Sequence, residues 1–311
     1  MRYYAIRHQT SFYYSKPISE SVMELQMQPR DELHQRCARF QVVVSPKARV
    51  SILRDYYGNR LATFDVPSLH HRLMITCESI VEMSDFSPMP EALPQSAWDV
   101  LAQARHDSEL FEWLVPSKHT RPTPTLAAFV EELRLPQEAD PLTLLRALNA
   151  RLYEAFDYQQ ESTTIDSPLD EVIAHRRGVC QDFTHLMIAI VRGLGIPSRY
   201  VSGYLYHGRQ YADRSAADAS HAWLEAWLPT LGWVGFDPTN DILCAERHVR
   251  VAIGRDYADV PPTRGVFRGE AETRLEVAVR VTTLDTLPLT EETLKSPVDW
   301  SIEAQQQQQQ Q

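Results

Sequence analysis

Cys180 follows Arg177-Gly178-Val179 and precedes Phe183, Met187, Ile190, Val191 and Leu194, an apolar stripe at helical spacing. Gly178 lets the chain turn sharply, so the cysteine falls in the first turn of a helix. Free amide N–H groups and the positive end of the helix dipole lie there, and both stabilise a thiolate. The Cys180 N–H is also available to a developing oxyanion. His221 opens a second segment, Ser220-His221-Ala222-Trp223-Leu224-Glu225-Ala226-Trp227, which alternates as a strand does. The chain reverses through Pro229-Thr230-Leu231-Gly232 and returns as Trp233-Val234-Gly235-Phe236-Asp237. Such a hairpin leaves Asp237 opposite a residue between Ala222 and Leu224, depending on how the turn closes. Cys180, His221 and Asp237 are the set that covalent acyl transfer requires. A thiolate attacks a carbonyl, the imidazole holds and returns the proton, and the carboxylate fixes the tautomer.

A helix and a hairpin must therefore be held against each other, and the rest of the chain supplies the support. The first ~85 residues read as antiparallel β by their period-2 alternation. Tyr4, Ile6, His8, Thr10, Phe12 and Tyr14 share one face; Met23, Leu25 and Met27, then Phe40, Val42 and Val44, then Leu73, Ile75, Cys77 and Val81 repeat the pattern. Gly58-Asn59 marks a hairpin, and a β-sandwich is the natural assembly. Trp98 to Leu114 reads as one helix, and Leu126, Phe129, Val130 and Leu133 as a short one. Asp140-Pro141 is an N-cap followed by a first-turn proline, ahead of Leu144, Leu145, Leu148, Leu152 and Phe156. Ser167-Pro168-Leu169-Asp170 resembles a capping box, for a helix running to Arg177. Strands follow at 199–206, 221–228 and 232–236, and Leu275, Val277, Val279 and Val281 mark another.

The expected organisation is α+β: an N-terminal antiparallel β-sandwich over 1–90, a helical connection over 91–139, a catalytic core over 140–290, and a C-terminal tail over 291–311 ending in glutamines. A net charge of -10 argues against nucleic acid and against an anionic membrane surface. No apolar run approaches the ~18 residues that span a bilayer, and the N-terminus has no signal-peptide core, so a cytoplasmic location is expected. The four cysteines, Cys37, Cys77, Cys180 and Cys244, form no C-x-x-C pair, which disfavours both a disulfide scaffold and a thiolate zinc site.

The blocks Gly178-Val179-Cys180-Gln181-Asp182-Phe183, His221-Ala222-Trp223-Leu224-Glu225 and Trp233-Val234-Gly235-Phe236-Asp237-Pro238-Thr239-Asn240 resemble the three motif blocks of the bacterial transglutaminase-like superfamily. Tyr4–Thr10, Gln28-Pro29-Arg30 and Asp55–Asn59 resemble the β domain that precedes this core in many bacterial members, and Gly254–Pro262 also matches that group. The resemblance covers about residues 1–285. It implies a papain-like core with the nucleophile on a helix packed against an antiparallel sheet carrying His221 and Asp237. The absence of C-x-x-C zinc ligands disfavours the N-glycanase branch, and no EF-hand-like loop is present, so neither metal nor cofactor is expected. The family's second oxyanion donor has two positional candidates, Tyr158 and Gln159.

The implied reaction is thiolate attack on a peptide or isopeptide-like amide carbonyl of a peptide or protein, giving a thioester that water or an amine resolves. Hydrolysis is favoured, since nothing in the sequence marks an amine site; transamidation is the rival, and a non-catalytic binding module is the alternative from another class. His185 reads as a packed histidine and Asp182 as a dipole-complementing acid. Trp223, Trp227 and Trp233 read first as packing residues, with Trp223 the candidate to wall a cleft. Cys77 reads as inert, His70-His71 lacks ligand partners, and Gly254–Pro262 shapes the cleft or clasps the fold.

Overall fold

β1 (Arg2–Leu25), β2 (Gln35–Ser45), β3 (Ser51–Arg54), β4 (Arg60–Val66) and β5 (His70–Met83) open the chain in the computed structural model, which describes residues 1–32, 34–160 and 162–287. The helical part contains α1 (Ala97–Ala104), α2 (Pro124–Glu132), α3 (Pro141–Ala155), β6 (Asp157–Tyr158), α4 (Leu169–His175), β7 (Arg177–Gly178) and α5 (Cys180–Gly193). Then come β8 (Ser198–Leu205), β9 (His221–Leu228), β10 (Gly232–Asp237), β11 (Ile242–Leu243), β12 (His248–Gly254), β13 (Thr263–Arg268) and β14 (Thr273–Leu284). The glutamine-rich 291–311 segment lies outside the described residues.

β1 organises the N-terminal sheet. Tyr4, Ile6, His8, Thr10 and Tyr14 are buried along one face, as the alternation requires, and Phe12 is half-buried. Its first half pairs with β5 and β14, its second with β4 and β13. The β5 register breaks between Tyr13 and Ile18, around Pro17, which has no N–H for the ladder. The sheet therefore curls on itself and encloses Met23, Leu25, Phe64, Val66, Leu73, Ile75 and Cys77. The second sheet runs β11-β10-β9-β8-β12, all antiparallel. α5 lies against β8 and β9 and is buried from Asp182 through Arg192. Tyr4, Ile6, Val81 and Met83 of the first sheet join the core that α3, α5 and the second sheet build.

Four expectations change. β13 and β14 add to the first sheet through β1, so residues 263–284 leave the 140–290 unit; alternation identifies a strand but not its partner. Trp98–Leu114 is not one helix, for α1 stops at Ala104 and a 3₁₀ turn covers Phe111–Leu114. Asp107 there takes the Glu109 N–H on its side chain at 2.8 Å, competing with the helical ladder. Ser167 accepts from the Thr164 N–H at 3.0 Å instead of capping α4, whose N-cap is Pro168. α4 also ends earlier, at His175, with Arg176 left-handed at φ 53°. Asp140 caps α3 as expected, accepting from the N–H groups of Leu142 at 3.0 Å and Thr143 at 3.3 Å.

The two sheets are tied by charge as well as packing. Glu225, fully buried on β9, pairs with Arg199 at 2.6 Å and with Arg250, which also reaches Glu32 at 3.6 Å. Gln35 accepts from the Arg250 N–H and donates to its carbonyl, both at 2.8 Å. Burial raises the Glu225 carboxyl, but the two guanidinium groups outweigh it and bring it down to about 2. Its contribution is thus complete above its ordinary value of 4.5 and is lost as pH falls toward 2. Glu225→Ala strips Arg199 of its carboxylate and leaves Arg250 with Glu32 alone, and urea denaturation should show a loss of about 3–5 kcal/mol at neutral pH. A loss under about 1 kcal/mol would mean that the buried triad contributes no more than an exposed ion pair.

Candidate active site

Position begins at Gly178. β6 and β7 pair in parallel with Tyr158 beside Gly178, and the Gln159 N–H donates to the Gly178 carbonyl at 3.0 Å. A Cβ on Gly178 would lie 2.8 Å from Asp182 Oδ2, so only glycine leaves room for the carboxylate. That carboxylate accepts from the Val179 N–H at 2.8 Å and the Thr163 hydroxyl at 2.6 Å. It closes the N-terminus of α5 and sets Cys180 as the helix's first residue, partly exposed. The Cys180 N–H is among those that no helix carbonyl takes.

His221 enters from β9 and Asp237 from β10. Leu224 pairs with Phe236, which brings Asp237 level with Trp223, inside the span expected from the turn. His221 Nε2 meets Asp237 Oδ2 at 2.8 Å, and the Cys180 side chain lies near enough to the same ring to raise its pKa. With Nε2 committed to the carboxylate, Nδ1 is the nitrogen left for the sulfur. Asp237 is fully buried and collects donors: His248 Nε2 at 3.2 Å and Asn240 Nδ2 at 2.8 Å on Oδ2, the N–H groups of Thr239 at 3.1 Å and Asn240 at 3.3 Å on Oδ1. Burial alone would raise the Asp237 carboxyl, but the His221 charge and the imidazole hydrogen bonds hold it far below the usual range. Burial likewise lowers His221, and the Asp237 charge, its hydrogen bond and the Cys180 side chain overcome that and carry it up to about 10. An imidazolium therefore faces the sulfur at neutral pH.

Burial pushes Cys37 and Cys77 up to about 12, with Asp31 and Glu78 adding to it, and holds Cys244 well above its ordinary value.

Of the two upstream candidates, Tyr158 is half-buried beside the site, packed against the same core as Cys180. Its hydroxyl accepts from the Ala216 N–H at 3.3 Å, and none of the described hydrogen bonds uses its proton. Gln159 is exposed, with its N–H spent on Gly178. Trp223 does not wall a cleft. It is fully buried with Val201 and Ile253, and a Cβ on Gly203 would lie 2.5 Å from its ring. Trp227 and Trp233 pair at the far end of the hairpin, roughly 20 Å along the strand from His221. His185 accepts from the Tyr257 N–H at 3.1 Å, stacks on His119, and is lowered to about 3 by burial. This contact and the Gln26 side chain's bond to the Asp259 carbonyl at 3.2 Å pin the 254–262 segment to both halves of the molecule. His70 is satisfied by Ser21 and the Ser68 carbonyl.

His248 and Asn240 were not singled out by residue type or spacing. Asn240 closes the third motif block, but His248 gives no signal, because its approach depends on β12 crossing to β8. His221, Asp237 and His248 offer ligand atoms within 4.8 Å of one another, the donor types that zinc accepts. Their spacing is that of hydrogen bonds: both imidazoles and the Asn240 amide converge on a single oxygen at 2.8–3.2 Å. Ligands about 2.0–2.2 Å from a tetrahedral ion stand farther apart.

Comparison with known proteins identifies the family and the fold. Residues 128–238 match the transglutaminase-like superfamily, and residues 4–82 match the bacterial transglutaminase-like N-terminal region. An uncharacterized protein of Mycobacterium leprae is 34% identical over 278 residues, covering 89% of this chain and 97% of its own. One from Mycobacterium tuberculosis is 37% identical over 293 residues, covering 89% and 92%. A protein-glutamine gamma-glutamyltransferase of Pseudomonas aeruginosa is 35% identical over 158 residues, which are 47% of this chain and 23% of that protein. The crystal structure of a candidate cysteine protease from Cytophaga hutchinsonii superposes with a TM-score of 0.72 over 92% of each chain at 21% identity, a likeness of fold.

Raised pKa at His221 means that the pair stabilises the fold fully below the ordinary imidazole value of 6.5 and stops doing so as pH rises through about 10. Nitrogen-detected NMR of His221 should give a midpoint near 10. In Asp237→Asn, where burial is no longer offset by the carboxylate, the midpoint should fall well below that; an unchanged midpoint would contradict the assignment of its cause.

Proposed function

Because this chain belongs to the transglutaminase-like superfamily, we propose that it is a thiol enzyme that transfers acyl groups from amides through a thioester on Cys180. The observation that carries this reading is the buried Asp237–His221 pair presenting a protonated imidazole to the one partly exposed thiol at a helix N-terminus. The thiolate sulfur adds to the amide carbonyl carbon, and the carbonyl electron pair moves to oxygen. The Cys180 N–H and the Tyr158 hydroxyl donate to that oxyanion. Collapse of the tetrahedral intermediate breaks the C–N bond, and the His221 imidazolium gives its proton to the leaving nitrogen. His221, now neutral, takes a proton from the incoming water or amine, which attacks the thioester and expels the thiolate. Asp237 holds the ring in one tautomer throughout.

Peptide or protein amides are the substrate class, and hydrolysis is the favoured outcome. Transamidation is the second reading, favoured by the similarity to the Pseudomonas aeruginosa protein-glutamine gamma-glutamyltransferase. Both reactions share the first half, so Cys180 decides both. With a glutamine-containing peptide, Cys180→Ala should lower ammonia release by roughly 10⁴-fold or more. Adding a fluorescent primary amine then separates the outcomes: incorporation into the peptide marks transamidation, and its absence marks hydrolysis. A Cys180 thiol no faster toward iodoacetamide at mildly acid pH than a free thiol, with neither ammonia nor a new peptide amine released, would leave only the binding-module interpretation.

A further inference from the structure

Asn240 uses every hydrogen-bonding position of its side-chain amide. One Nδ2 hydrogen goes to Asp237 Oδ2 at 2.8 Å and the other to Ser215 Oγ at 3.1 Å. Its Oδ1 takes the N–H groups of Arg214 at 2.8 Å and Ser215 at 3.2 Å. An amide has two donors and two acceptor positions, so this one is saturated. One bond reaches the catalytic carboxylate and three reach the segment between β8 and β9. The next residue of that segment, Ala216, donates its N–H to the Tyr158 hydroxyl at 3.3 Å. A continuous path thus runs from His221 through Asp237 and Asn240 to Ser215 by hydrogen bonds, across the Ser215–Ala216 peptide link, and on by a hydrogen bond to Tyr158.

The segment is braced on either side of Asn240. Arg247 grips Asp213 at 2.7 and 3.2 Å. The Arg214 guanidinium donates to the Tyr153 carbonyl at 2.8 Å and lies 3.4 Å over the Tyr153 ring. Those contacts hold the segment to the body of the protein, but Asn240 alone links it directly to Asp237 among the described hydrogen bonds. From this geometry we infer that Asn240 is a positioning residue: it fixes the orienting carboxylate and the Tyr158 donor relative to each other, so that the general base and the oxyanion site stay in register. This rests on the acyl-transfer reading given above and extends it to a residue that touches neither substrate nor sulfur. Alanine breaks both halves of the link. Aspartate has the same length and keeps the oxygen that accepts from Arg214 and Ser215, but it sets a second carboxylate beside Asp237. Two carboxylates that close cannot both ionise readily, and they hold one proton between them. While that proton is present the introduced group still donates to Asp237; once it leaves, the donor is replaced by repulsion.

The test uses the full chain with p-nitrophenyl acetate as acyl donor, following kcat and KM across pH and the melting temperature of each variant. Asn240→Ala should lower kcat by about 10- to 100-fold, with KM changed by no more than about twofold. Asn240→Asp should approach wild-type kcat on the acid side and lose it at a pH below the wild-type alkaline limb, a transition that the wild type lacks. Wild-type kcat in Asn240→Ala, or an Asn240→Asp profile that parallels the wild type at every pH, would overturn the inference. Cys180→Ala is the control on the parent reading: hydrolysis that persists without the thiol refutes acyl transfer by Cys180, whatever Asn240 does.

Discussion

A carboxylate removed completely from water governs this structure. Asp237 has no exposed surface, and a bare carboxylate there would take a proton instead of keeping its charge. It stays charged because His221, His248, Asn240 and Thr239 aim five donors at its two oxygens. Desolvation then turns from a cost into an asset. The unscreened negative charge makes the neighbouring imidazole a much stronger base, and the cation so formed faces Cys180. Every one of those donors depends on the fold. The β9–β10 hairpin sets His221, the 237–240 turn supplies two amides and the Asn240 side chain, and β12 brings His248.

The sulfur is held by different means. Cys180 stands at the head of a helix buried from Asp182 to Arg192, which cannot shift without disturbing the main core. Arg192 at the other end donates to the carbonyls of Trp113, Val115, Ser198 and Arg255, so even the one cation in that helix ties it to surrounding loops. The N-terminal sheet adds a further restraint. It packs Tyr4 and Ile6 on the core, bonds Asn59 to Ile253, and receives β13 and β14 from the far end of the chain. Helix and sheet are thereby fixed as rigid bodies, which is what a sulfur and an imidazole need to remain within reach of each other.

Much of this was legible in the sequence because its signals are local. Period-2 alternation gave the buried face of β1, glycine at 178 announced the turn before Cys180, and Asp140-Pro141 capped α3. Asp237 fell opposite the stretch that counting through the turn allowed. What stayed hidden depends on long-range pairing. His248 meets Asp237 only because β12 lies beside β8, and β13 and β14 alternate as strands without saying that β1 is their partner. Trp223 shows the limit of residue type: an aromatic on the strand that opens with His221 suits a cleft or a core equally, and only the covering contacts of Val201, Ile253 and Cys244 decide for the core.

The central claim is that His221, made cationic by a buried carboxylate, serves one particular sulfur. Intact-mass and peptide-mapping analysis of protein quenched in acid after brief exposure to p-nitrophenyl acetate tests it most directly. A single acetyl group on Cys180, formed at once in the wild type and strongly diminished in His221→Ala, is the result this account predicts. Acetylation spread over Cys37 and surface lysines, or an adduct on Cys180 that forms equally fast without the imidazole, would contradict it.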